Sequence, residues 1–121
     1  MRDDVASLLS KIINYQNNKL LLLTNILELE REIESLLKCD EDAIPALIEK
    51  ENSFIEEINL CDFNVASLLD ELKKLGVDFN SKIAFFSKEE LLTKYFNNIK
   101  LIQEILSKIS NIKQNNILQM E

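Results

Sequence analysis

The chain has 121 residues, a formal net charge of −7, no histidine, one glycine and one proline. At this length one hydrophobic core is feasible. A surface this acidic repels nucleic-acid phosphates and anionic lipid, and the missing histidine removes the commonest general base and metal ligand. β-rich and parallel α/β folds need turn residues at short intervals, so a chain with only Gly76 and Pro45 as breakers is expected to form a few long helices.

The first helix is expected over residues 3–38. Alternating steps of four and three from Leu8 pass through Ile12, Tyr15, Lys19, Leu22, Ile26, Leu29, Ile33 and Leu36. That is the spacing of a coiled-coil seam, broken only at Lys19. Leu9, Leu23, Leu27 and Leu37 widen the stripe enough for a third packing partner. The sequence Lys38-Cys39-Asp40-Glu41-Asp42 reads as a bend, with Asp40 or Asp42 capping the next helix and Pro45 in or just past its first turn.

The second helix is expected over residues 43–75. Its seam runs through Leu47, Glu51, Phe54, Ile58, Cys61, Val65, Leu68, Leu72 and Leu75, and Gly76 stands where a left-handed C-cap wants glycine. Antiparallel partners across the bend sum to roughly 80 by this spacing. Lys19 then approaches Asp62, or lays its stem along the seam with its ammonium in water. Glu51 falls near Leu29, and its head is expected to escape to the edge, because an unpaired buried charge is costly.

Residues 77–86 form an apolar connector, expected to pack over one end of the hairpin. Ser87-Lys88-Glu89-Glu90 has the form of a capping box, and a third helix is expected over residues 88–118. Its seam is Leu92, Tyr95, Ile99, Ile102, Leu106 and Ile109; past Ile109 the pattern weakens, leaving the second half either core or free. The fold expected is all-α: one domain over 1–121, a long antiparallel hairpin with a third helix packed against it as a coiled-coil-like bundle.

Few features point to chemistry. Alternating Glu28, Glu30, Glu32 and Glu34 point in different directions and read as a solvated face. Cys39 and Cys61, expected ~30 Å apart on one hairpin, read as free structural thiols of a reducing compartment. There is no glycine-rich phosphate loop. No enzymatic activity, cofactor or metal is expected, and neither nucleic-acid binding nor membrane insertion. The start Met1-Arg2-Asp3-Asp4 lacks the basic character of a signal peptide, which implies a cytoplasmic protein. Amphipathic helices remain as the means of function, through packing against a helix of another chain.

The order of features resembles the FlgN family of flagellar export chaperones. The resemblance runs from Leu27-Glu28-Leu29-Glu30-Arg31-Glu32-Ile33-Glu34-Ser35-Leu36-Leu37 through the bend Asp40-Glu41-Asp42-Ala43-Ile44. It continues through Leu47-Ile48-Glu49-Lys50-Glu51, Leu68-Leu69, Leu72-Lys73-Lys74-Leu75-Gly76 and Ser87-Lys88-Glu89-Glu90-Leu91-Leu92, and ends in residues 109–118. The chain departs from the family pattern in having Cys39 where glycine is usual, in lacking an arginine around Phe63-Asn64-Val65, and in stopping at Glu121 where members continue for further turns.

The resemblance implies a chaperone of type III flagellar export that masks the amphipathic terminal helix of hook–filament junction (hook-associated) proteins. Components of the export apparatus are further candidate partners. It also implies contacts toward the C-terminal end, where Ile105, Ile109, Ile112, Asn116, Ile117 and Leu118 are the candidate client-binding residues. The alternatives are a coiled-coil adaptor acting as a homodimer through the same stripe and a prefoldin-like holdase for unfolded clients.

Overall fold

A computed structural model describes residues 3–77 and 89–120. Three long helices account for nearly all of them: α1 (Asp3–Leu36), α2 (Ile44–Lys74) and α3 (Glu89–Met120). There is no strand among the described residues. The expected helices are present, with ends shifted by one or two residues. Most of the 77–86 connector and the Ser87 capping position lie outside the described residues. Val77, the first connector residue, is buried.

α1 and α2 form the antiparallel hairpin in the expected register. Asn18 Nδ2 donates to Cys61 Sγ at 3.4 Å, and one residue further along Lys19 Nζ meets Asp62 Oδ1 at 2.8 Å. Both side chains of the ion pair reach solvent, so it marks register more than it adds stability. α3 runs parallel to α1: Gln16 meets Tyr95 and Asn98 near one end, and Glu30 meets Asn116 toward the other. The backbones of α2 and α3 both lean on α1 and scarcely on each other, which gives an up-down-up bundle with α1 in the middle.

The bend departs from the expected capping. A short 3-10 turn (Glu41–Ala43) precedes α2, whose N-cap is Ala43 with no side-chain cap hydrogen bond; Asp40, at the start of the turn, makes none either. The turn's acidic residues, Glu41 and Asp42, still sit beside the positive end of the α2 dipole. Pro45 stands in the first turn of α2, where the absent N–H has no helical acceptor to lose.

Apolar packing along the bundle falls into two clusters. One joins Val5, Leu9, Ile12, Ile13, Leu72, Val77 and Tyr95; the other joins Leu22, Leu23, Ile26, Leu27, Ile58, Cys61 and Ile109. Between them lies a layer of amides. Asn98 Nδ2 donates to Gln16 Oε1 and Asn17 Oδ1, and Gln16 Nε2 donates to the Tyr95 carbonyl. Cys39 is exposed, Cys61 is buried, and both are free thiols.

α2 ends in a Schellman motif: Val77 N–H donates to Leu72 O at 2.9 Å and Gly76 N–H to Lys73 O at 3.0 Å. Val77 and Leu72 both join the first cluster, so the cap is fastened by apolar contact. Gly76 has φ +86°, and a Cβ built there meets nothing within 4 Å. Gly76→Ala should therefore cost about 1 kcal/mol through backbone conformation alone, read as a lowered urea midpoint at unchanged m value. An unchanged midpoint would show that the cap does not need the left-handed residue.

Candidate functional site

The candidate residues fall on the second half of α3, and they do not share one face. Ile105 and Ile112 are half-buried and Ile109 is buried; all three pack into the second apolar cluster. Asn116 is 1% exposed and points at α1, where its Nδ2 donates to the Glu30 carbonyl at 2.9 Å and to Glu30 Oε1 at 3.3 Å. Ile117 and Leu118 point outward, 48% and 66% exposed. The second half of α3 is thus docked on the hairpin through Asn116, because polar residues of all three helices meet there. A client reaching the Ile105–Ile109–Ile112 face would have to displace this half of α3.

That polar meeting point corrects two readings of the sequence. Glu51 does not escape to the edge. It is buried at 3% exposure, with Lys113 Nζ of α3 at 3.6 Å from its Oε1. Glu30 does not belong to a solvated face; it is also 3% exposed, beside Glu51 and Asn116. The physical reason is the third helix. In a hairpin alone, Glu51 would lie at the seam's edge; α3 covers that edge and supplies a lysine and an amide.

One signal for this arrangement stood in the sequence. Continuing the four-three stepping of the third helix past Ile109 gives Lys113 and then Asn116. Those are polar seam positions at the level where the second helix has Glu51. Nothing comparable marks Glu30, whose burial depends on where α3 lies across α1.

The cluster is imperfectly paired. Glu51 Oε1 and Asn116 Oδ1 are buried with no hydrogen-bond partner among the described residues, and the Lys113 ammonium stands 3.6 Å from that Glu51 oxygen. Burial first, and then the neighbouring Glu30 carboxylate, push the Glu51 pKa up to about 6, against the pull of Lys113. The arrangement offers no nucleophile poised beside a base, and no three acidic or thiol groups among the described residues are placed to hold a metal. What it does is tie the second half of α3 to the hairpin. No helix among the described residues is long and apolar enough to cross a membrane.

No protein-family model matches the chain, and no significant similarity to a curated protein or to a solved structure is found.

The Glu51 site sets a sign for the pH dependence. A folded pKa of about 6, above the ordinary 4.5, means that the folded chain holds this proton more tightly than the unfolded chain. Its contribution therefore makes the fold more stable as pH falls from 7 to 5, by roughly 1–2 kcal/mol at most. Glu51→Gln should raise the melting temperature at pH 7 by roughly 3–6 °C and flatten the dependence between pH 5 and 7. A lower melting temperature at pH 7 would show that the Lys113 ion pair outweighs burial.

Proposed function

We propose that this chain is a cytoplasmic chaperone of type III flagellar export, holding the amphipathic terminal helix of a hook–filament junction protein until it is exported. The chemistry required is masking of apolar surface, with no covalent step. The client would present apolar anchors at i, i+3, i+4 and i+7 to the place where the second half of α3 now lies.

The observation that carries the reading is the quality of that packing. Ile105, Ile109 and Ile112 cover an apolar floor of Leu22, Leu23, Ile26, Leu27 and Ile58. The same stretch is pinned by a cluster in which Glu51 Oε1 has the Lys113 ammonium no nearer than 3.6 Å and Asn116 Oδ1 has no hydrogen-bond partner among the described residues. Incomplete polar pairing inside a bundle is costly, and a helix held in this way is a fitting element to exchange for a client helix. Ile117 and Leu118, exposed at its outer edge, offer the first apolar contact.

The first test is a calorimetric titration with a terminal segment of a hook–filament junction protein. Saturable binding with a negative heat-capacity change is expected; no binding to any such segment would overturn the function. A second test addresses the exchange. With Cys39→Ser removing the exposed thiol, Glu30→Cys and Asn116→Cys allow α3 to be locked to α1 by oxidation. Locked protein should lose binding at least about tenfold, a change of about 1.4 kcal/mol, and regain it on reduction. Undiminished binding by the locked form would place the client elsewhere.

A further inference from the structure

The face of the α1–α2 hairpin that turns away from α3 carries a charge pattern complementary to itself. At one end Lys11 of α1 and Glu71 of α2 line the groove between the helices. At the other end Glu32 of α1 and Lys50 of α2 line it. The sign on each helix thus reverses from end to end, and none of these four side chains forms an ion pair among the described residues. Midway, Leu21 and Leu60 stand opposite each other by the register of the hairpin, 60% and 64% exposed. Neither belongs to a core cluster.

The spacing is symmetric about that leucine rung. Lys11 and Glu32 lie ten and eleven residues from Leu21, and Glu71 and Lys50 lie eleven and ten from Leu60. Both charged ends are therefore ~15–17 Å from the rung along the helices. A two-fold axis laid across both helices at the rung turns one end onto the other. Lys11 then faces Glu32 of the second copy, Glu71 faces Lys50, and the leucines meet at the centre. The intermediate positions agree, since Glu28 comes over Asn14 and exposed Glu57 over Asn64, carboxylates against amide donors.

We propose that this face binds a second copy of the chain, giving an isologous dimer with the Leu21–Leu60 rung at its centre. A single helix from another protein would match the charges of one flank; a second hairpin matches both flanks at once. The proposal is independent of the export-chaperone reading, because the face lies on the other side of the hairpin from α3 and leaves that helix free to exchange.

Sedimentation equilibrium of the full chain at tens of micromolar tests it. A dimer is expected that weakens as salt rises. A monomer at low salt overturns the proposal. Leu21→Glu with Leu60→Glu should abolish the dimer while circular dichroism shows unchanged helix, both positions being exposed; a dimer unaffected by this pair of changes overturns it. Lys11→Glu should weaken the dimer about tenfold or more, and adding Glu32→Lys should restore it. Rescue by Glu71→Lys instead would place the axis along the helices and overturn the pairing of Lys11 with Glu32.

Discussion

Everything in this bundle depends on α1 having two apolar faces. A helix that packs on one neighbour needs a single stripe, but α1 buries side chains toward both α2 and α3, from Val5 at one end to Ile33 at the other. α2 has far fewer buried positions along a similar length. Because α1 serves both partners, α2 and α3 need little direct contact, and the bundle keeps the open outline of a hairpin with a third helix laid on it. Association of helices in this bundle is a matter of removing α1 from water twice over.

Polar layers interrupt that burial at two levels, and both lie where α1 meets α3. The Gln16–Asn98 layer is well bonded, and sliding α3 by a turn would strand its amides in an apolar neighbourhood, so it fixes the register of a parallel pair that apolar residues alone would leave loosely specified. The Glu30–Glu51–Lys113–Asn116 layer is different in kind. It brings together groups from all three helices, with a long ion pair on Glu51 and an Asn116 oxygen that has no hydrogen-bond partner among the described residues. One layer specifies the fit of α3, and the other ties its second half to both α1 and α2.

The sequence made the local features of this architecture legible. Heptad stepping set the three helices, the register of the hairpin and the approach of Lys19 to Asp62, because each depends on spacing within one helix or on a short bend. It did not make legible what depends on the third helix. Glu51 is visible as a polar interruption, yet its partner Lys113 lies more than sixty residues away on the helix that covers it. Glu30 looked solvated because its neighbours on the same helix are. Asn116 reads as a contact residue, and the bundle uses it inward while Ile117 and Leu118 face out. The expected aspartate caps failed for a related reason: a 3-10 turn is decided by the path between two packed helices, which residue preferences at the bend do not encode.

The parallel course of α1 and α3 has a consequence for how the chain reaches its native state. Hairpin contacts can zip outward from the bend, beginning between residues only a few positions apart. The α1–α3 contacts join residues 79 to 86 positions apart, and in a chain without the hairpin none of them forms without closing that whole length. Loop closure of this size slows a folding step and places it late. The hairpin is then the earlier unit and α3 the later one to dock. In the native protein the same order read backwards makes α3 the first helix to open, with amide exchange along it governed by partial unfolding and that of α1 by the global transition.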